Sequence, residues 1–565
     1  MAAKDGVEET LLYHVHSSSS TEHESDGEYE LDDYQSDSSF LSFARRRRPK
    51  WWRSIHRRGG SGSLFHAPRR RRSALCRLLQ LVALFPYLIF GLLLVAGLFF
   101  PGYSNPPLRY WELRHRVLNL RETANIHNEK VFIAASLYDK DGEVVSGQWG
   151  QSVLHLINIL GPENVFLSIY ENDADPLSQA ALDSFAQNVT CEKSVVTETL
   201  DLSKLHHVST PDGTQRLKRI EFLADVRNRA LRPLEDVSSV AHRTRFDKLL
   251  YLNDVVFDPV DAANLLLSTN VDETTGRTKY RAACATDFIM PFKFYDTFAT
   301  RDLEGYDMGV PFYPWFTGAG KAESRKDVLN QKDAVRVKSC WGGMVAFEAK
   351  WFQSGMHGNE VGNALPAGLP KAQAAHLSYH ADPRDSDHDL LHISTFNSSL
   401  QFRADHDTYW DASECCLIHA DLTAMDPASL PANETGIYMN PYIRVAYSSS
   451  VLPWLSFVKR FERLYTPIHT IADWIARRPS FNPRQFQEPG DEVIDQVWTW
   501  DPNSLEAIRN GIDKSHSSLK GQYKEVRRTA LPGGFCGARK MLYINEDPTN
   551  GEGKWASEKL PPARK

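Results

Sequence analysis

The sequence predicts an α/β domain built on a mostly parallel sheet and joined to one membrane-spanning helix. Two patterns predict this architecture: short apolar runs alternate with amphipathic stretches in the middle of the chain, and an uncharged run of 23 residues precedes them. Alternating strands and helices of these lengths are typical of parallel sheets covered by helices. With 565 residues, 42% of them hydrophobic, the chain is long enough to bury a large core.

The N-terminal 100 residues contain a tail and the apolar run. Residues 1–77 are acidic and Ser-rich at first and then strongly basic, which predicts a disordered cytosolic tail. Residues 78–100 carry no charge and would form a helix of ~35 Å, enough to cross a bilayer core of ~30 Å. Thirteen Lys and Arg residues lie in 41–77 and three in 101–120, so the positive-inside rule predicts that the body is luminal.

The rest of the chain divides by composition into a Pro-rich stalk at 101–128, a main domain at 129–450 and an extension at 451–565 that packs on it. The first 100 residues carry a net charge of +3 and the remainder −9, which disfavours a nucleic-acid partner. All three N-x-[ST] sequons, at Asn188, Asn397 and Asn433, lie in the predicted luminal part. Six of the seven Cys residues lie there too, and their pairing is not readable from the sequence.

The elements of the main domain follow one another in a regular order. The apolar runs predict strands at 131–137, 165–170, 249–252, 281–286 and 344–347. Amphipathic spacing predicts helices at 153–160, 176–187, 220–231 and 259–267. Gly161 and Pro162 end the first helix, and Pro259 is a typical first-turn residue of the last one.

Polar and acidic residues follow the predicted strands. Asp139, Glu171, Asp254 and Asp287 each stand at or just after the end of an apolar run. Turns and helix caps use the same residue types, so any one of them has an ordinary structural explanation. Because parallel strands end at one edge of a sheet, four such ends predict a site for Mg²⁺ or Mn²⁺ bound together with substrate phosphates.

The stretch LLYLNDVVFDP contains the sharpest candidate of the four. Asn253 and Asp254 interrupt an apolar run, and hard oxygen ligands in that position suit a cation that holds a diphosphate. The stretch resembles a degenerate Asp-x-Asp element of nucleotide-sugar transferases, with Leu252 where the first Asp would stand. Only Asp254 matches that element.

Two further clusters contain candidate site residues, and each leaves two interpretations open. Arg227 lies in the apolar stripe of the helix at 220–231, beside Asp225 and Asn228, and either pairs with a core carboxylate or grips a phosphate. Glu414 and His419 flank an apolar segment that contains Cys415 and Cys416. His419 is either a core histidine or a metal ligand.

The chain resembles the fungal cryptococcal mannosyltransferase family, also described as capsule-associated proteins, glycosyltransferase family 69. The matching stretches run in order from about 131 to 447: VFIAASLYD, LGPENVFLSIYEND, EFLADVRNRAL, FDKLLYLNDVVF, AACATDF, FYDTFATRD, VKSCWGGMVAFEA, SECCLIHADL and YMNPYIRVAY. The resemblance implies a nucleotide-sugar transferase domain of the GT-A type. It also implies a Golgi type II membrane protein that transfers mannose from GDP-mannose in α-1,3 linkage to an oligosaccharide or polysaccharide acceptor.

This interpretation gives each candidate residue an expected role. Asp254 would hold a divalent metal, Mn²⁺ or alternatively Mg²⁺, against the diphosphate, with His419 as a second ligand. The donor side would be formed by Arg227, Asn228, Asp225 and Asn253. Glu414 would be a catalytic carboxylate on the acceptor side, and Trp341 with Gly342 an acceptor wall, for which plain packing is the alternative. Because the Asp-x-Asp element is degenerate, a non-catalytic membrane-anchored subunit of a polysaccharide-assembly complex remains the alternative function.

Overall fold

A computed structural model describes residues 74–210, 214–353, 399–427, 434–501 and 520–546, with short pieces at 431, 503, 554–558 and 560. The predicted tail up to residue 73 and the sequons at Asn397 and Asn433 therefore lie outside the described residues. Asn188 is described and is exposed at the end of a helix.

The N-terminal apolar segment forms helix α1 (Ala74–Phe99). Its stretch Val82–Phe99 has a mean hydropathy of 2.4, and within the described residues α1 is the one helix long and apolar enough to cross a membrane. The run predicted at 78–100 thus falls almost wholly within one helix. This helix belongs to a compact unit of its own, separate from the body that begins at Pro101.

The helices and strands of the body, in chain order, are as follows. The helices are α2 (Leu108–His115), α3 (Glu143–Ser146), α4 (Gln148–Leu160), α5 (Pro176–Asn188), α6 (Arg219–Leu231), α7 (Val240–Arg243), α8 (Pro259–Ser268), α9 (Glu323–Leu329), α10 (Glu414–Met425), α11 (Leu452–Val458) and α12 (Tyr465–Ile475). The strands are β1 (Val131–Leu137), β2 (Val165–Asn172), β3 (Glu192–Glu198), β4 (His207–Ser209), β5 (Gln215–Lys218), β6 (Lys248–Leu252), β7 (Ala282–Met290), β8 (Lys293–Phe294), β9 (Arg301–Asp302), β10 (Val335–Ser339), β11 (Met344–Glu348), β12 (Asp411–Ala412), β13 (Ile437–Ala446), β14 (Glu492–Trp500), β15 (Gly521–Thr529), β16 (Gly537–Ala538), β17 (Leu542–Ile544) and β18 (Trp555–Ser557).

The central sheet is mixed rather than mostly parallel. Its strand order is β3-β2-β1-β6-β11-β7-β13-β10-β9, with β8 paired to β7. The first four strands run parallel, but β11 lies antiparallel between β6 and β7. Because β7 and β13 again run in the direction of β6, the carboxyl ends of six strands and the start of β11 lie at the same edge. The sequence predicts β11 but not its direction, which depends on which strands it pairs with.

Both faces of this sheet are buried, as the continuous apolar runs predict. Successive residues of β1 enter different hydrophobic clusters, Phe132 on one face and Ile133 on the other. Helix α6 packs on β1 and β2 on one face, and α4 and α8 belong to the cluster on the other. The sheet is therefore a rigid middle layer, and its carboxyl edge is the place where polar side chains emerge.

The segment 101–128, predicted as a stalk, packs against the body. Tyr103 is fully buried and its hydroxyl donates to the Val328 carbonyl at 3.1 Å. Tyr110 and Leu113 of α2 are buried as well. The folded body therefore begins within a few residues of Pro101, and the Pro-rich composition reflects an irregular but packed connection.

The extension at 451–565 is tied to the main domain by strand pairing and by a disulfide. Strands β17 and β18 complete a four-stranded sheet of order β18-β17-β5-β4, and β16 pairs with β12. Cys416 on α10 is bonded to Cys536, and a second disulfide joins Cys284 to Cys340. Strands β14 and β15 form a separate antiparallel pair.

Candidate functional site

Carboxylates from four strands collect at the carboxyl edge of the sheet. Glu171 lies near the end of β2, Asp139 follows β1, Asp254 follows β6 and Asp287 lies in the second half of β7. Strands β2, β1 and β6 are direct neighbours, and β7 is separated from β6 only by β11. The predicted gathering of acids at one edge is therefore present in the fold.

Asp139 and Glu171 are held by local hydrogen bonds. The two carboxylate oxygens of Asp139 accept the backbone N–H groups of Val144 at 2.9 Å and Val145 at 2.8 Å, which caps the short helix α3. Glu171 Oε1 accepts from the Asp139 N–H at 3.2 Å and from the Ser178 hydroxyl. Burial raises the pKa of Asp139, and burial, with the nearby Asp139 charge adding to it, raises the pKa of Glu171 to about 7.

Asp254 is the least satisfied acid of the group. Its Oδ1 is buried and has no hydrogen-bond partner in the described part of the chain. Its pKa is raised to about 7, mainly by burial and in part by the negative charge of Asp139, while Arg227 opposes the shift. A buried carboxylate oxygen without a donor is costly unless it is neutralised by a proton or a cation. The residue therefore fits a metal ligand or a proton-exchanging group.

Asp254 faces a cleft of about 240 Å³. One wall comes from the start of α4 and the segment before it, and the other from the residues after β6 and β13. The lining residues are Glu143, Val144, Gly147, Gln148, Trp149, Asp254, Val256, Tyr447, Ser448 and Ser449. The cleft thus lies at the carboxyl edge, where α/β sheets bind their ligands.

The N-terminus of α4 lies on the same wall. Its N-cap residue is Gly147, which has no side chain to bond the first N–H groups of this 13-residue helix. Unsatisfied N–H groups and the helix dipole make such an end attractive to anions. An acid that can hold a cation and a helix end that can hold an anion therefore line one cleft.

Asn253 fastens the loop that carries Asp254. Its backbone N–H donates to the Gly343 carbonyl at 2.9 Å, and its carbonyl accepts from Trp149 Nε1 at 2.9 Å. Its side-chain Oδ1 accepts from Arg227 Nη1 and from Trp341 Nε1, both at 3.2 Å. Asn253, expected to bind the donor, is used by the fold to join β6, α4, α6 and the turn before β11.

Arg227 and Glu414 form a buried ion pair. Arg227 Nε donates to Glu414 Oε1 at 2.9 Å, and the two side chains are 3% and 4% exposed. The guanidinium lies 4.5 Å from the ring centre of Trp341 and also faces Tyr251 and Phe402. Of the two interpretations left open for Arg227, the structure has the core ion pair. Glu414 is correspondingly a pairing partner of Arg227 rather than an open acceptor-side carboxylate, because the pair needs mutual neutralisation.

Asn228 and Asp225, the other residues of α6 that were expected to bind the donor, form hydrogen bonds away from the cleft. Asn228 makes two 2.8 Å hydrogen bonds with the backbone of Phe402, one as donor and one as acceptor. Asp225 accepts from Arg229 Nε at 2.5 Å, and Arg229 also bonds Glu198. These residues fix α6 to its surroundings, so the structure does not bring them to the cleft.

His419 lies in the core and not beside Asp254. Its Nε2 is 2.9 Å from the Cys340 carbonyl oxygen, and burial lowers its pKa to about 3. Its ligand atom lies within 4.8 Å of the sulfurs of Cys284 and Cys340, but those sulfurs are bonded to each other. Cys284 and Tyr251 both pair with the same residue of β11, so they lie at the same level of the sheet. Asp254 comes three residues after Tyr251, which is ~10 Å further along the strand direction. Among the described residues His419 is therefore grouped with this disulfide rather than with Asp254, and these surroundings fit the core-histidine alternative.

Trp341 and Gly342, expected as an acceptor wall, are packed inside the protein. Trp341 is buried against Arg227 and Asn253, so its ring faces no open space. Gly342 has a φ of 59°, and a Cβ there would lie 2.0 Å from the Ala285 carbonyl oxygen. The motif is explained by a tight turn into β11, which is the packing alternative.

Two polar residues lie at this edge of the sheet although the sequence did not predict them as site residues. The Tyr447 hydroxyl, on the cleft wall after β13, donates to Asp287 Oδ2 at 3.2 Å. Asp296 accepts the Gly342 N–H at 3.2 Å, and its charge adds to the burial that keeps the pKa of Asp287 well above its usual value. Tyr447 ends an apolar strand run as the acids do, and that signal was available in the sequence.

Comparison with known proteins gives a match to a family model and distant likenesses to solved structures. A family model described as cryptococcal mannosyltransferase 1 matches residues 130–421, just over half of the chain. No curated protein sequence matches significantly. A solved structure, the mannosyltransferase PcManGT from Pyrobaculum calidifontis in complex with GDP-Man and Mn²⁺, is 10% identical and covers 69% of this chain and 84% of its own, with a TM-score of 0.28.

Proposed function

Because this chain belongs to the cryptococcal mannosyltransferase family, we propose that it transfers mannose from GDP-mannose to a mannoside acceptor, in α-1,3 linkage, during glycan or polysaccharide synthesis. The observation that carries the proposal is the Oδ1 of Asp254 in the cleft, which is buried and has no hydrogen-bond partner among the described residues. The domain would correspond to a GT-A-type transferase, since the mixed α/β sheet carries its acids at the carboxyl edge.

Asp254 is the residue that would hold a divalent metal. The unpaired oxygen and the raised pKa both indicate a carboxylate that has no ion-pair partner among the described residues. A bound Mn²⁺ or Mg²⁺ would neutralise the developing charge of the diphosphate leaving group. Arg227 contributes through Asn253: it holds that side chain, and thereby the loop that presents Asp254.

The start of α4 would bind the diphosphate. The cleft is bordered by Gly147, Gln148 and Trp149, where the first N–H groups of the helix can donate to phosphate oxygens. Trp149 Nε1 also donates to the Asn253 carbonyl, which joins the helix start to the loop that carries Asp254. If an α-linked donor gives an α-linked product, configuration is retained, and a simple inverting base is not required.

We place the body in the Golgi lumen, behind a single type II membrane anchor. The apolar helix α1 and the basic residues before it support this orientation. The disulfides Cys284–Cys340 and Cys416–Cys536 suit an oxidising compartment. The exposed sequon at Asn188 is compatible with glycosylation there.

The proposal is tested with the full chain in detergent, radiolabelled GDP-mannose and an α-mannoside acceptor. We expect a metal-dependent mannosylated product that EDTA removes, that added Mn²⁺ restores, and that an α-1,3-specific mannosidase cleaves. Asp254→Asn should reduce transfer to background, whereas Asp258→Asn should retain it. Asp258 is a matched control because it stands four residues further on and only caps α8 and pairs with Arg114. Undiminished transfer by Asp254→Asn in the presence of EDTA would refute the assignment.

One observation favours the alternative function of a non-catalytic subunit. Leu252 stands where an Asp-x-Asp element has its first acid, and it is completely buried in the core. In that case the chain would bind GDP-mannose without turnover, and a mannosylated product would appear only when a catalytic partner is added.

A further inference from the structure

Helix α12 has polar side chains on its buried face and apolar side chains on its exposed face. Its inward face is polar: His469 Nδ1 lies 2.9 Å from Asp473 Oδ2, and Asp473 Oδ1 accepts the Val310 N–H at 2.8 Å. Its outward face is apolar, with Ile471 61% and Trp474 81% exposed. A helix on the surface of a soluble protein has the opposite pattern. The outward face of α12 therefore exposes large apolar side chains, which an apolar partner or medium would cover.

The apolar surface extends beyond α12 to its neighbours in the chain. Trp454 and Phe457 of α11 are more than half exposed, and Phe481, which follows α12, is 91% exposed. We call the set the apolar face; it consists of Trp454, Phe457, Ile468, Ile471, Trp474 and Phe481. Single exposed apolar side chains are common, but six of them close together in the chain, on two successive helices and just after the second, are typical of an interaction surface.

Within the stretch 452–481, which carries the apolar face, the exposed charges have one sign. Arg460, Arg463 and Arg477 are exposed. The two acids of the stretch 452–481 are buried instead, Glu462 in an ion pair with Arg444 and Asp473 against His469. Exposed aromatic and aliphatic side chains with a basic margin are the composition of helices that lie in the interface of a membrane.

The chain itself limits how far this surface can be from the membrane anchor. Helix α1 ends at Phe99, and the N–H of Gly102 donates to the Lys459 carbonyl, in the segment between α11 and α12, at 3.1 Å. Three residues span at most ~11 Å. Each interfacial region of a bilayer is ~5–8 Å thick. A bilayer spanned by α1 is therefore within reach of α11 and α12.

We propose that the apolar face docks on the luminal surface of the same bilayer that α1 spans, as a second, monotopic membrane contact. The inference rests on the anchoring part of the proposed function. The short tether and the basic margin favour lipid over a second copy of the chain or another protein. Since Ser448 and Ser449 of the cleft wall lead directly into α11, this contact would also hold the cleft at a fixed height above the membrane.

The test is photocrosslinking to lipid with the full chain reconstituted in phosphatidylcholine vesicles that carry a clickable acyl chain. A diazirine amino acid replaces Trp474 in one preparation and Val237 in another. Val237 is the matched control because it is also apolar and exposed. It follows α6, which packs on β1 and β2, whereas α11 packs on β13 in the other half of the sheet. We expect lipid label at position 474 and none above background at 237. No lipid label at 474, or a crosslinked dimer in its place, overturns the proposal.

A second variant measures what the apolar face contributes. With the diazirine at Ile468, Ile471→Glu combined with Trp474→Glu should lower lipid labelling by roughly tenfold or more, since charged groups replace buried apolar surface. Val237→Glu should leave the label at 468 unchanged. Equal labelling in the double variant overturns the proposal. Alkaline carbonate extraction checks the α1 anchor separately, and none of these readouts needs mannose transfer, so a failure of docking is distinguishable from a failure of the proposed function.

Discussion

Nε of Arg227 donates to Oε1 of Glu414 over 2.9 Å, and both side chains are almost completely buried. The pair joins α6 to the first turn of α10, and through Asn253 it also supports the loop that carries Asp254. A charged pair inside the core thus positions the edge of the cleft without facing it.

Arg227→Ala should cost ~3–5 kcal/mol of unfolding free energy, because it leaves Glu414 buried and unpaired. Equilibrium urea unfolding of the full chain in detergent measures the loss. Arg232→Ala is the matched control on the same segment: its side chain is 54% exposed, it pairs with Glu198 at 3.5 Å, and its loss should cost ~0–1 kcal/mol. Equal costs for the two variants would contradict the ion-pair interpretation.

Asp254 should make stability depend on pH in a defined direction. Burial raises its pKa from 3.8 to about 7, so the unfolded chain releases this proton first as the pH rises. The contribution of Asp254 to the free energy of unfolding is fully present below pH ~4 and is lost as the pH rises through about 7. The total loss of unfolding free energy is up to ~4 kcal/mol. The difference in unfolding free energy between the wild type and Asp254→Asn should therefore grow in favour of the variant from pH 5 to pH 8.

Mn²⁺ provides the control for that prediction. A cation held by the Asp254 carboxylate stabilises the native state, most strongly above pH 7 where the carboxylate is ionised. The melting temperature of the wild type should rise with added Mn²⁺, and that of Asp254→Asn should not. A parallel rise in both proteins would place the metal elsewhere.

Gly342→Ala should destabilise the turn before β11 by more than ~2 kcal/mol. The φ of 59° disfavours any side chain, and the new Cβ would meet the Ala285 carbonyl oxygen at 2.0 Å. Gly318→Ala is the control, since no atom lies within 4 Å of a Cβ at that position. Thermal unfolding of the two variants side by side decides whether the glycine is needed for packing.

Breaking the Cys416–Cys536 disulfide should weaken the attachment of the C-terminal extension. The bond closes a loop with a sequence separation of 120 residues, and its removal in Cys536→Ala should cost ~4–5 kcal/mol. Cys191→Ala, which removes a buried cysteine that forms no disulfide, should cost much less. Guanidinium unfolding under non-reducing conditions compares them, and similar midpoints would show that strand pairing alone holds the extension.

Membrane topology is checked with sealed microsomes. Added protease should remove only the predicted cytosolic tail at 1–77 and leave the body protected until detergent opens the vesicles. If Asn188 is glycosylated, endoglycosidase should shift the protected fragment, and Asn188→Gln should abolish that part of the shift. A body that is digested in sealed vesicles would reverse the orientation.

The sequence closely predicted several elements that have a marked apolar pattern, but it missed the buried strand β13 as well as the partly exposed strand β3. β1 matches its predicted bounds, and α6 matches within one residue, because both are marked by apolar periodicity. β3 (Glu192–Glu198) is absent from the prediction since this partly exposed edge strand has no apolar run. The antiparallel β11 was predicted as a strand, but a pattern within one segment contains no information about the direction of its partners.

For the candidate site, the sequence by itself determined that acids emerge at the ends of buried strands and that Asp254 interrupts an apolar run. Those features are local, because the hydrophobic pattern of neighbouring residues indicates where a buried strand runs and where it ends. Only the tertiary structure decided that Arg227 pairs with Glu414, 187 residues away, and that His419 and Trp341 are buried in the core. The free energy of a buried charge or imidazole depends on which distant groups surround it, and only the folded chain brings those groups together.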